Sequence, residues 1–204
     1  MNFYEVIKNR RTVRDFEDSE IPQEILERIL DAGLRGPSGD HLRDVHYVVV
    51  RGEKIAEVVK MVGSHADIQL KQVEHSDMEG SQREMYLDAV PKQRRMLTQP
   101  GTLILPFFRH EGDFNKPEGV TSYNDFASAW CGIENILLAA TAEGLGCSLR
   151  IPIGGEPEYV SERVGAPEGY VLCCYLGVGY PEKNAAVLKQ VPVSVEDRVH
   201  FDRW

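Results

Sequence analysis

The run Phe126–Ala142, FASAWCGIENILLAATA, constrains the chain more than any other stretch, because it has no polar face. A helix that is apolar or small nearly all round must be buried on every side. Ser122 suits its N-cap and Gly144 its C-terminal stop, which predicts a helix from there to about Glu143. In a chain of 204 residues, one route to such burial is a partner subunit.

The other elements follow from period and punctuation. Asn2 and Glu5 have capping-box spacing, with Phe3, Val6 and Ile7 behind them, so a short helix should end near the arginines. Pro22 fits the first turn of a second helix whose apolar face is Ile25, Leu26, Ile29, Leu30 and Gly33. Gly36-Pro37-Ser38-Gly39 breaks the chain. Strands are predicted at 45–50, 102–108 and 170–178, with a helix over about 54–62. Pro106 places the second strand at a sheet edge or near its own end. Few strands among many helices indicate an α+β or three-layer arrangement in a single domain over 1–204. Residues 63–100 are charged, amide-rich and poor in β-branched residues, with helix at 81–89 and 92–98, and read as an excursion or lid. The tail, 182–204, ends in aromatics and reads as a segment that docks on something.

Charge narrows the partners. The 32 acidic residues outnumber the 23 basic ones, giving −9 overall, the opposite of a nucleic-acid binder. Yet within residues 1–14 Lys8, Arg10, Arg11 and Arg14 oppose only Glu5. A cationic patch in an anionic protein suits a small phosphorylated ligand. No apolar run reaches membrane-span length and the start has no signal-peptide stretch, so a cytoplasmic location is expected. Cys131, Cys147, Cys173 and Cys174 form no CxxC pair, and the histidines have no ligand spacing, so reduced thiols and no metal site are expected. Rossmann and P-loop patterns are absent.

By itself Arg10-Arg11-Thr12-Val13-Arg14 also reads as a solvated basic turn. The wider string resolves that choice. RRTVRDFEDSEIPQEILERILDAGLRGPSGDH, then VVV, then Gly144-Leu145-Gly146 after the apolar helix and a closing VHFDRW, resembles the FMN-dependent nitroreductase family. The resemblance spans nearly the whole chain outside 63–100. It implies an α/β/α sandwich built as an intertwined homodimer, with FMN at the subunit interface and the tail wrapping the partner.

The same resemblance assigns the site residues. Arg10, Arg11 and Thr12 should hold the phosphate and ribityl chain, and Arg14 the pyrimidine edge of the ring, where a cation favours reduced flavin. Ser38 matches a flavin-contacting serine. The turn departs from the family's N-x-Q-P-W, reading His41, Leu42, Arg43, Asp44 and Val45, although His41 fits the PSG-x-H of the deiodinase branch. Arg43 could donate to the flavin or merely pair with Asp44. Leu149, Arg150 and Ile151 should lie against the flavin, Arg150 having a surface role as its alternative. Lys189 is the remaining phosphate cation, because Gln190 stands where an arginine is common. Tyr86, Tyr123 and His41 are donors that could reach the ring, but each reads first as structural or lid-packing, and no catalytic acid is named. Ser38 lacks a nucleophile elbow.

The implied activity is transfer of reducing equivalents from NADH or NADPH, through FMN, to a small nitroaromatic or quinone-like substrate. Alternatives are a reductive dehalogenase, a flavin-fragmenting enzyme, or a flavin-binding protein with little turnover.

Overall fold

The computed structural model, which describes residues 1–114 and 116–204, is organised around Thr102–Arg109 (β2). Alternate side chains of a strand point to opposite faces. Ile104 and Phe108 enter one apolar cluster, while Leu103, Leu105 and Phe107 enter the other. A strand buried on both faces needs helices on both sides, and the chain supplies them. Gln23–Leu34 (α2) and Asn124–Ala142 (α7) cover the first face. Lys54–Val58 (α3), Arg95–Thr98 (α6) and Glu156–Val164 (α8) cover the second. The α/β/α sandwich expected from the sequence is the fold observed.

Around β2 the sheet is antiparallel. Val45–Arg51 (β1) pairs along its whole length, and Tyr175–Gly179 (β5) pairs on the other side through Thr102–Ile104. Gly146–Arg150 (β3) pairs with β5, and Tyr170–Leu172 (β4) pairs with the last residues of β2. The order is β1-β2-β5-β3.

Two sequence expectations need correction here. Pro106 is not at an edge or a strand end: it lies mid-strand in the sheet's interior, opposite Tyr47 of β1. It is tolerated because the neighbour on its other side changes from β5 to β4 there, so no full ladder demands its missing N–H, while its carbonyl accepts from the Cys173 amide. Correspondingly, 170–178 is not one strand. It breaks at Cys173-Cys174, and both thiols turn into the first cluster rather than to opposite faces.

Ser122 is likewise not the cap of α7. It sits in a 3-10 turn, Val120–Tyr123, and Tyr123 occupies the cap position without a side-chain bond. The other end is as expected: Gly144 has φ +79°, and the amides of Gly144 and Leu145 return to the carbonyls of Thr141 and Ala140. Burial of α7 is incomplete within one chain. Ala129, Ile133, Ile136 and Ala140 are fully buried, but Ala127, Cys131 and Glu134 form an exposed stripe.

Phe3–Asn9 (α1) carries the expected Asn2–Glu5 capping box and packs on α7. The 63–100 segment forms Ala66–Glu74 (α4), which the sequence did not suggest, and Gly80–Lys92 (α5), which pack together. Its end belongs to the core instead, through Met96 and Leu97 of α6. In the tail, Val195–Arg198 (α9) follows an extended stretch, and residues 191–204 are exposed throughout. Among the described residues no helix is long and apolar enough to cross a membrane, and no cluster suited to a metal ion occurs.

Candidate cofactor and active site

The segment leaving α1 crosses the end of the sheet, where Thr12 forms a parallel bridge with Cys147 of β3 and the Val13 amide bonds its carbonyl. This docking turns Arg10, Arg11, Thr12 and Arg14 toward a recess of about 150 Å³, completed by Leu137, Thr141, Cys147 and Leu149. Guanidinium and hydroxyl donors on apolar walls match a phosphate monoester in charge and in hydrogen-bonding sense. Glu134 is the acidic neighbour of Arg10, at 3.8 Å and half exposed, a weak competitor for an incoming anion. Burial pushes the Cys147 thiol up to about 12, against the pull of Arg10, so it lines the recess as a neutral group.

Arg14 and Leu149 also line a second cavity, of about 480 Å³, so the two spaces adjoin at these residues. Its floor is Leu149, Arg150 and Ile151, at the end of β3. Its walls come from α4 and α5, including Val73, Met85 and Tyr86. An apolar slot opening from a cationic recess fits a flat ring carrying a phosphorylated side chain, and FMN meets that description.

Arg150 lines the cavity but does not take the surface role that was its alternative. It is 8% exposed, so it is no surface residue, and its guanidinium is bound by Glu156 through both Nη atoms, one at 2.8 Å. Its Nε donates to Gln93 at 3.0 Å, and Gln93 in turn donates to Gln69 of α4 at 2.5 Å. Glu156 also accepts from the Ile153 amide and from Tyr175. Arg150 therefore fixes the loop after β3 and ties it to α4, while only its flank meets the cavity. Nothing local in the sequence marks Glu156, Gln93 or Gln69 as its partners.

The Ser38–Arg43 turn is elsewhere. Asp40, His41 and Arg43 all have φ between +50° and +56°, a left-handed conformation that non-glycine residues adopt at a cost and that clusters at functional sites. The Ser38 hydroxyl holds the turn by accepting from the Arg43 amide at 3.1 Å, and the Gly39 amide donates to Ser128 at 2.9 Å. Arg43 does not take Asp44 as its partner. Asp44 accepts from Tyr170 at 2.6 Å and lies 3.1 Å from His46, interactions that hold its carboxyl below the usual range. Ser128 precedes Leu137 and Thr141 on α7 by about 14–20 Å of helix at 1.5 Å per residue. One chain thus leaves this turn far from the recess.

The remaining candidates separate as well. Tyr86 lines the cavity, whereas Tyr123 packs edge-on against Phe114. His41 stays with the turn. Lys189 lies within electrostatic reach of Glu79, the cap of α5, and lines neither recess nor cavity.

The family model described as the nitroreductase family matches residues 7–180. A Methanothermobacter thermautotrophicus protein, described as a candidate NADH dehydrogenase/NAD(P)H nitroreductase, is 27% identical over all of this chain and 88% of its own length. Iodotyrosine deiodinase from Nematostella vectensis is 30% identical over 91% of this chain and 69% of its own. Among solved structures, an FMN- and NADPH-dependent nitroreductase variant from Sphigopyxis sp. strain HMH superposes with a TM-score of 0.76 at 16% identity, covering both chains fully.

Proposed function

The chain belongs to the nitroreductase family, and from that premise we propose that it is an FMN-dependent oxidoreductase. In this reading it passes reducing equivalents from NADH or NADPH to a small electron-poor aromatic, and it works as a homodimer. The observation that carries the reading is the cationic recess beside the apolar cavity, with Arg14 and Leu149 lining both.

FMN, when bound, supplies the chemistry of accepting electrons from a nicotinamide and donating them to a second substrate. The chain's own work is position and shielding. Arg10, Arg11 and Thr12 bind the phosphate, and Arg14 sets a positive charge at the ring's pyrimidine edge. Leu149 to Ile151 form the floor, held rigid by the Arg150–Glu156 pair. The α4–α5 pair closes the cavity as a lid and keeps water out.

Two features support a second copy. The exposed stripe of α7 needs cover, and the Ser38–Arg43 turn, stranded within one chain, can complete a recess on a partner. Ser38, His41 and Arg43 would then approach the FMN of the other subunit. Lys189 would join the phosphate only where the tail of one subunit follows the other.

A second reading, reductive dehalogenation of aromatic rings, is favoured by the deiodinase relative and by the Pro37-Ser38-Gly39-Asp40-His41 turn. Purified protein should be yellow and should bleach anaerobically with NADH or NADPH. Reoxidation by nitroaromatics supports the first activity, and by halogenated phenols the second. Arg10→Ala should weaken FMN binding by about 10- to 100-fold, the worth of one charge-assisted contact of about 1.5–3 kcal/mol. A protein that stays colourless after incubation with FMN would falsify both readings.

A further inference from the structure

Arg14, the cation shared by recess and cavity, has a partner in the lid. Its Nη1 lies 3.5 Å from Oδ2 of Asp88, a residue of α5 that is 74 positions away. Both side chains are largely withdrawn from solvent, 13% and 16% exposed. The other Asp88 oxygen lies 2.6 Å from Lys92, one helical turn on. Lys92 is 2.7 Å from Asp15, which Arg95 also reaches at 2.6 Å. The result is a chain of alternating charge, Arg14–Asp88–Lys92–Asp15–Arg95, that crosses three times between the N-terminal segment and α5–α6.

Helix α5 has little else to hold it. Of its 13 residues Val90 alone is fully buried, and Pro91 interrupts its last turn. An amphipathic helix usually docks by a broad apolar face. This one meets the body largely through carboxylate contacts, and the residue that touches Arg14 is among them.

We propose that Asp88 is a positioning residue for Arg14: the lid fixes the guanidinium beside the flavin and withholds part of its charge. This rests on the FMN reading above. A carboxylate within ion-pair distance of a cation cancels much of the field that the cation exerts beyond it. Reduced flavin gains negative charge, so it feels that cancellation more than oxidised flavin does. Asp88 thereby sets how strongly the site favours the reduced form, and displacing the lid would change that preference.

The test compares wild type, Asp88→Asn and Glu84→Gln, the last removing an exposed carboxylate from the same helix. The midpoint potential of bound FMN is measured for each. Asp88→Asn should raise the preference for reduced over oxidised FMN about tenfold, an upward shift of about 30 mV for two electrons. Glu84→Gln should stay within about threefold of wild type. A purely structural Asp88 would weaken both forms equally and leave the midpoint unmoved, which overturns the proposal, as does a shift no larger than that of Glu84→Gln. A cofactor-free measurement runs alongside, amide exchange over residues 80–92 in the apo protein. Arg14→Gln and Asp88→Asn should each speed exchange, and Arg14→Gln should add nothing once Asp88→Asn is in place; additive effects overturn the pairing. Failure of wild type to take up FMN overturns the functional reading, and the flavin part of this proposal with it. Uptake with an unmoved midpoint overturns this proposal alone.

Discussion

Tyr47 shows what one residue's surroundings can decide. Its hydroxyl is buried with no hydrogen-bond partner among the described residues, and burial pushes its pKa up to about 12. It sits where α2 and α7 cross closely: a Cβ on Gly132 would strike that hydroxyl and come within 2.8 Å of the Gly33 carbonyl oxygen. An unmade buried hydrogen bond costs about 1–3 kcal/mol. Tyr47→Phe should therefore raise stability by about 1–2 kcal/mol, read as a higher urea midpoint. A lower midpoint would mean that the hydroxyl has a bonded partner in solution. Gly33 was legible in the sequence as part of an apolar face, and Arg10, Arg11 and Arg14 were legible as a cationic group. The orphan hydroxyl was not, since it depends on two helices meeting over a strand.

At the scale of elements, sequence period located α2 and β2, which pack through apolar faces, and missed β3, α8 and α4. Helix α2 and strand β2 have periodic apolar positions, and both lie within a residue or two of where the pattern puts them. Helix α4 buries Val73 alone, so its sequence carries no such period. The α4–α5 lid is held by polar contacts whose strength depends on pH. Burial alone would raise the Asp15 carboxyl, but the hydrogen bond and charge of Lys92, with Arg95, hold it below its ordinary value. A group depressed in the folded state stabilises above its unfolded pKa, and that contribution fades as pH falls below about 4. Asp15→Asn should thus cost about 1–3 kcal/mol at pH 7, the worth of charged hydrogen bonds. The gap in urea midpoint between variant and wild type should narrow as pH falls from 7 to below about 4. A gap that stays constant over this range would exclude titration of Asp15 as its source.

For the whole molecule the exposed stripe on α7, the isolated Ser38–Arg43 turn and the exposed apolar tail have one common resolution, a second copy of the chain. Cys131→Arg, a charge placed in the stripe, should give a monomer by sedimentation and weaken FMN binding. A dimer that persists with FMN bound would remove the stripe from the interface. The sequence by itself determined what is local or periodic: the apolar face of α2, the strand at 102–108, the helix needing cover all round, and the cations gathered before Asp15. These follow from the order of residue types, because side-chain direction repeats along a regular backbone. Only the tertiary structure decided which distant groups meet. Arg14 finds Asp88, Arg150 finds Glu156 and Gln93, and the strand at 170–178 breaks where β2 changes partners. Such pairings depend on how elements are stacked in space, and no periodicity within one element encodes them.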